Sequence, residues 1–259
     1  MKPSFSKYSF VASIVATTLV LVCCKSQTSV VAPAIVSMQQ VKMDGTADAT
    51  LDSIITFYRN DINKLMMRNI GICDDILEAN RPEGGLSRMA ADVVLFEAIK
   101  VCNELGNQPP VIALLNNGGL RTSLPKGNVT VQNIFEISPF ENSLVIITLN
   151  AQQLQAMFEH IAQRGGEPIS GATLTISNGK AKEITIDGKP IDSNAQYIIA
   201  TNSYLAAGGD GFRILQECEQ YDTGLMVRDL MIEYVEMLSK QNKHIADPGN
   251  IRIKVEDNE

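Results

Sequence analysis

The sequence predicts a single α/β domain, residues 47–259, with a mixed β-sheet and flanking helices. From about residue 47 onwards the apolar residues alternate between helical and strand spacing, and no internal repeat or second domain boundary interrupts them. Of the 259 residues, 45% are hydrophobic and 20% are charged, so the chain can bury a substantial core. Mixed helical and strand segments of this kind indicate one layered domain.

Four segments have the spacing of amphipathic helices. The first has apolar residues at positions 51, 54, 55, 58, 62 and 65, and the second runs from Met89 to Leu105 after Ser87. The third begins at Asn150, which with Gln153 forms a capping-box pattern, and it should stop at the paired glycines 165–166. The fourth, residues 225–238, closes the domain.

Short apolar or alternating runs between these helices predict strands. They cover residues 111–115, 144–149, 172–176, 181–186, 196–201 and 251–255. Asp187-Gly188 is a typical hairpin pair and predicts a turn between two of these strands.

The first residues are typical of an export signal. Lys2 and Lys7 precede an apolar run over residues 10–22, which is too short for an ordinary membrane span. Cys23 and Cys24 follow, and the run resembles a bacterial lipobox with Cys24 as the acylated residue, although either cysteine can serve. We therefore expect a signal peptide over 1–23, a tether over 24–46 and a lipid anchor at the bacterial cell envelope. The alternative is a plain cleaved signal peptide with incidental cysteines.

Charge and cysteine content narrow the function classes. A formal net charge of −7 argues against broad binding of nucleic acid, which needs clustered Lys and Arg. The other cysteines, Cys73, Cys102 and Cys218, include no CxxC pair. One disulfide among them is possible, but their apolar neighbours favour buried thiols.

Three segments at the ends of predicted elements depart from core patterning and are candidates for a binding site. They are NNGGLR at 116–121, SPFEN at 138–142 and TNSYLAAGGDGF at 201–212. Glycines such as Gly118 allow close backbone approach to a ligand, and Arg121 offers a planar fork for phosphate. Phe140 and Tyr204 can stack on a planar base, and Asp210 can accept hydrogen bonds from ribose hydroxyls. Taken singly, each residue also fits an ordinary turn or core position.

The ordered motifs resemble the C-terminal, substrate-binding domain of the 5′-nucleotidase and UDP-sugar hydrolase family, over roughly residues 54–255. That resemblance implies that Phe140 and Tyr204 clamp the base, although the family more often has Phe at the second position. It also implies that Asp210 binds ribose, Arg121 faces the phosphate and Asn116 contacts the nucleoside. Asn142 matches a contact to the base edge, and Arg81 matches a further substrate-binding arginine. Asn117 stands where the family has its first glycine.

The metal-binding half of such enzymes has no counterpart in the sequence. Full-length family members hold two metal ions through motifs rich in His and Asp, whereas this chain has only His160 and His244. Two isolated histidines cannot make a two-metal centre, so we expect no cofactor, no metal site and no catalytic residue in this chain. The resemblance implies that the two divalent ions belong to a partner catalytic subunit.

Two functions fit these observations. In the first, the chain recognises the base, ribose and phosphate of a nucleotide for a separate metallophosphatase chain, as one part of a 5′-nucleotidase-type hydrolase in nucleotide catabolism. In the alternative, it is a lipoprotein that binds nucleotides or nucleosides without catalysis. A third, a degenerate domain kept for structure, fits less well because the clamp residues are intact.

Overall fold

A computed structural model describes residues 49–256 of the chain. The expected signal peptide, tether and acylated Cys24 lie outside the described residues. None of the helices within residues 49–256 is long and apolar enough to cross a membrane.

Seven α-helices and eleven β-strands make up the described part. The helices are α1 Ala49–Met66, α2 Gly85–Glu104, α3 Val131–Ile137, α4 Ala151–Gln163, α5 Ser203–Ala206, α6 Arg213–Gln216 and α7 Val227–Lys240. The strands are β1 Asn69–Cys73, β2 Ile112–Leu114, β3 Gly127–Thr130, β4 Ser143–Asn150, β5 Ile169–Ser170, β6 Ala172–Ser177, β7 Lys180–Ile186, β8 Lys189–Pro190, β9 Gln196–Asn202, β10 Glu219–Met226 and β11 Ile253–Glu256.

A five-stranded mixed sheet forms the centre of the domain, in the order β10-β4-β9-β2-β5. Strands β2 and β9 are parallel, whereas the other neighbours are antiparallel. A second mixed sheet has the order β11-β6-β7-β8, and β1 pairs with β3 alone. The predicted fold class, an α/β domain with mixed sheets and flanking helices, is confirmed.

The central sheet, apart from its exposed edge strand β10, is buried on both faces. Side chains that alternate along β2 and β4 enter two separate hydrophobic clusters: Ala113 and Ile146 face one, whereas Ile112 and Ile147 face the other. Residues of α2 and α7 cover the first face, and residues of α4 and the second sheet cover the other. Strand alternation therefore places a helical layer on each side.

Several sequence-based boundaries need correction. The second helix begins at Gly85, before Ser87, which is buried within its first turn. The closing helix begins at Val227, because residues 219–226 form β10 on the edge beside β4. Asp187-Gly188 does form a hairpin turn, but it leads into the short β8, and β9 belongs to the other sheet.

The capping box at Asn150 is present: its side chain accepts from the Gln153 amide, and the Gln153 side chain accepts from the Asn150 amide, both at 2.9 Å. A second capping box, which sequence reasoning missed, joins Thr130 and Asn133 at the start of α3.

The three described cysteines are free thiols. Cys73 and Cys102 are buried and Cys218 is half-buried. Burial raises the pKa of all three thiols above the ordinary range. These properties fit inert structural thiols, which was the favoured interpretation of the sequence.

Candidate functional site

Three strand ends meet at one edge of the central sheet. Because β2 and β9 run parallel, the segments after them, beginning at Asn116 and Ser203, emerge on the same side. Strand β4 runs antiparallel to β9, with Leu144 opposite Asn202, so its entering loop reaches that edge as well. The topology thus brings together the three segments that the sequence indicated.

These segments enclose a cleft of about 360 Å³, within the size range of small-molecule sites. Its lining residues are Asn116, Gly118, Gly119, Arg121, Phe140, Asn142, Tyr204 and Asp210. Seven of the eight predicted substrate-binding residues lie in this set, and Gly119 is the additional member.

The two aromatic rings of the cleft are available for stacking. Phe140 is 46% exposed and Tyr204 is 43% exposed, and both line the same cavity. Exposed aromatic side chains at a cleft offer a flat apolar face to a ring-shaped ligand.

Tyr204 is fixed by the turn that follows it. Its hydroxyl lies 3.1 Å from Asp210 Oδ1, to which it donates, and it accepts from the Asp210 amide at 3.2 Å. A Cβ on Gly209 would lie 2.5 Å from the Tyr204 ring, so only glycine allows the chain to pass there. The hydroxyl ties the ring to the acid.

Asn116 connects the glycine loop, residues 116–121, to Asp210. It is buried, and its Nδ2 donates to Asp210 Oδ2 at 3.1 Å. Its Oδ1 accepts from Asn202 Nδ2 at 3.1 Å, while Asn202 Oδ1 caps the short helix α5. Fully satisfied polar groups of this kind hold the edge of a site rigid.

Asp210 supplies the carboxylate among the residues that line the cleft. It adopts a left-handed backbone conformation with φ 53°, a region that non-glycine residues rarely occupy. Its carboxylate accepts from Tyr204 and Asn116 and pairs with Arg164 at 3.2 Å. A carboxylate has about four lone-pair positions, so capacity remains for the hydroxyls of a ligand.

Arg121 supplies a cation to the cleft. Its Nη1 donates to the Gly118 carbonyl at 3.2 Å, and its side chain is exposed. The guanidinium therefore retains donors that can meet an anionic group.

Arg81 does not line the cleft. Its Nε donates to the Gly166 carbonyl at 3.0 Å and its Nη2 pairs with Glu167 at 2.5 Å. Arg81 is therefore the predicted substrate-binding residue that the structure places outside the cleft lining, and its contact with a substrate stays a prediction.

Asn117 turns away from the cleft. Its side-chain oxygen accepts from the Ser87 hydroxyl at 3.1 Å, and its side-chain Nδ2 donates to the Gly166 carbonyl at 3.4 Å. Because the Asn117 side chain lies outside the cavity, Gly118 and Gly119 line it.

Sequence reasoning missed two charged residues behind the cleft, Arg164 and Glu167. Glu167 is fully buried, and it accepts from Arg81, from Arg164 and from the Asn117 amide. The sequence does contain one sign of them: a charged residue stands on each side of Gly165-Gly166, where the helix has already ended and its apolar spacing gives no reason for either charge.

Neither histidine belongs to a metal cluster. Within residues 49–256 no group of three or more His, Cys, Asp and Glu side chains is arranged to hold a metal ion. His160 Nε2 lies 2.9 Å from the Asp210 carbonyl, and His244 pairs with Asp74 at 2.7 Å. The described side chains do not fit the two-metal centre of a phosphoesterase.

A larger groove of about 470 Å³ lies between α2 and the second sheet. Its arginine, Arg252, is buried and committed to Asp92, Asn250 and two backbone carbonyls. The smaller cleft is the better candidate, because it combines exposed aromatic rings with convergent donors and acceptors.

Fold and cleft define an α/β domain with an aromatic-walled polar site at the edge of a mixed sheet. The family model described as "5'-nucleotidase, C-terminal domain" matches residues 70–217. The chain therefore belongs to the 5′-nucleotidase C-terminal domain family.

Known proteins agree with this membership. A 5′-nucleotidase of Vibrio cholerae is 27% identical over 130 residues, which is 48% of this chain and 24% of that protein. The silent protein UshA(0) of Salmonella typhimurium is 25% identical over 195 residues, or 72% of this chain and 34% of its own length. The crystal structure of a Thermus thermophilus 5′-nucleotidase precursor superposes with a TM-score of 0.68 at 25% identity, covering 81% of this chain and 44% of that one. The chain thus spans less than half the length of these relatives.

Proposed function

We propose that this chain recognises the base, ribose and phosphate of a nucleotide for a 5′-nucleotidase-type phosphoester hydrolase. One observation carries the proposal: seven of the predicted substrate-binding residues line a single cleft. Membership of the 5′-nucleotidase C-terminal domain family supports a nucleotide-binding role.

Each part of a nucleotide has a suitable counterpart. A base stacks between Phe140 and Tyr204, with its edge toward Asn142, and each stacked base contributes about 1–3 kcal/mol. The ribose hydroxyls donate to Asp210. The phosphate lies toward Arg121, where a guanidinium can donate two parallel hydrogen bonds.

The same proposal assigns catalysis to a second polypeptide that holds two divalent metal ions. Support comes from the described side chains, which contain no suitable metal cluster. We further propose that the chain is exported and anchored through Cys24, so that binding and hydrolysis take place at the cell envelope.

Calorimetric titration of the purified chain with adenosine and uridine monophosphates tests the binding step. Phe140→Ala and Tyr204→Ala should each weaken binding about tenfold or more, because one stacking face is lost. Phe96→Ala is a matched control, since Phe96 has the same 46% exposure but lies outside the cleft. Absence of any nucleotide affinity would rule out the proposal.

Phosphate release distinguishes the two functions. A metallophosphatase chain from the same source, mixed with this chain and a divalent metal, should hydrolyse nucleotides faster than either chain alone. Nucleotide binding without such activation would favour the non-catalytic binding protein. Rapid phosphate release from this chain alone with added metal would contradict the two-chain assignment.

A further inference from the structure

Glu167 is a buried acid that joins three segments behind the cleft. Its Oε1 accepts from Arg81 Nη2 at 2.5 Å and from Arg164 Nε at 2.6 Å. Its Oε2 accepts from the Asn117 amide at 2.7 Å. The loop around residue 81, the end of α4 and the glycine loop therefore depend on one carboxylate.

Arg164 extends this network to the acid of the cleft. While its Nε is held by Glu167, its Nη1 donates to the Asp210 carbonyl at 3.1 Å and its Nη2 pairs with Asp210 Oδ2 at 3.2 Å. One planar guanidinium thus bridges a buried carboxylate and a carboxylate that lines the cavity. The fork of an arginine fits such a bridge, whereas a lysine offers only a point charge.

The backbone at Asp210 needs support of this kind. Its left-handed φ of 53° is an unfavourable conformation for a residue with a side chain. Two donors hold its carbonyl, Arg164 and His160, and because a carbonyl only accepts, His160 Nε2 carries the proton there. The Gly209–Gly211 turn is therefore held at the Asp210 carbonyl by His160 and Arg164, and at the Asp210 amide by the Tyr204 hydroxyl.

We propose that Arg164, held by Glu167, is a positioning residue that aims the Asp210 carboxylate at the ribose hydroxyls of a bound nucleotide. This inference rests on the proposed function and deepens it. Arg81, in the same arrangement, balances the charge of Glu167 and lies outside the lining of the cleft.

The ratio of two affinities tests the inference. The purified chain is titrated with AMP and with 2′,3′-dideoxy-AMP, which lacks both ribose hydroxyls but keeps the base and phosphate. In Arg164→Gln, AMP binding should weaken about tenfold, because a hydrogen bond to a charged group is misaligned. Binding of the dideoxy ligand should change less than about twofold. A general structural defect would lower the affinity for both ligands by the same factor.

Two further variants make the comparison specific. Arg164→Lys keeps the charge but loses the fork, so it should restore only part of the preference for AMP. Arg213→Gln removes the same charge from the helix that follows the turn and should leave both affinities unchanged. Hydrogen exchange of amides 208–212 without ligand should accelerate in Arg164→Gln and not in the Arg213 variant.

The outcomes separate the two claims. A wild-type chain that binds neither ligand overturns the proposed function and this inference together. A wild-type chain that prefers AMP, with an Arg164→Gln variant that keeps the full preference, overturns the inference alone. If Arg164→Gln lowers the affinity for both ligands equally, the inference is also overturned, and Arg164 has a purely structural role.

Discussion

Helices α1 and α4 have similar amphipathic sequences but opposite surroundings. The stripe of α4, including Leu154 and Phe158, is completely buried between the central sheet and the second sheet. The stripe of α1, including Ile55 and Ile62, remains about half exposed. Apolar periodicity therefore predicts a helix and its apolar face, but it does not predict whether anything covers that face.

The difference matters for the site. Because the apolar face of α4 is fully packed, His160 and Arg164 at the end of the helix contact Asp210 from fixed positions, and the buried Glu167 beyond them holds Arg164. Helix α1 carries no residue of the cleft. A site built on rigid elements holds its geometry more accurately than one on loosely packed elements.

The largest expected effect is the loss of a buried phenylalanine from α4; its counterpart on α1, Phe57, has the smallest effect and is treated last. Phe158→Ala in α4 empties a fully buried position, so the free energy of unfolding should fall by about 3–5 kcal/mol. Urea denaturation followed by circular dichroism measures this change. A loss below about 1 kcal/mol would contradict tight packing of the α4 face.

The second effect compares Glu167, which follows the end of α4, with an acid on α1. Glu167→Gln keeps the shape of the buried side chain but removes a charge that two arginines share, and unfolding free energy should fall by about 1.5–3 kcal/mol. Asp61→Asn on α1 is the control, because its pair with Lys64 is well exposed and contributes less than about 0.5 kcal/mol. Equal effects at both positions would show that the Glu167 network contributes no more than a surface pair.

The third effect concerns the start of α4. Asn150→Ala removes an acceptor for the Gln153 amide, so stability should fall by about 1 kcal/mol. Asn150→Ser, which keeps an acceptor at the cap, should recover most of the loss in the same denaturation experiment. Identical values for the two variants would mean that the capping bond is not what stabilises this helix end.

Local sequence signals account for much of the fold. The capping box at Asn150, the central strands and the three cleft segments follow from short patterns, because capping and alternation are local properties. Strand β10 was not predicted from the sequence, because residues 219–226 are mostly polar and exposed, as edge strands often are. Its pairing with β4 is a tertiary property.

The site was partly predictable for the same reason. Residues such as Phe140, Tyr204 and Asp210 belong to contiguous motifs at strand ends, and topology brings those ends together. Arg164 and Glu167 act through contacts with residues 46 to 86 positions away in the sequence, which no local pattern contains. Arg81 was assigned from its neighbourhood in the sequence, whereas its partner Glu167 decides where it points.

The smallest expected effect completes the comparison on α1. Phe57→Ala repeats the Phe158 substitution at a position that is 65% exposed, and Ile55→Ser together with Ile62→Ser removes two apolar side chains from the stripe. Because little buried area is lost, each variant should change unfolding free energy by less than about 0.5 kcal/mol. The measurement uses the purified chain under the conditions chosen for Phe158→Ala. A loss above about 1.5 kcal/mol would show that this face is covered in the intact protein, and the contrast between α1 and α4 would then disappear.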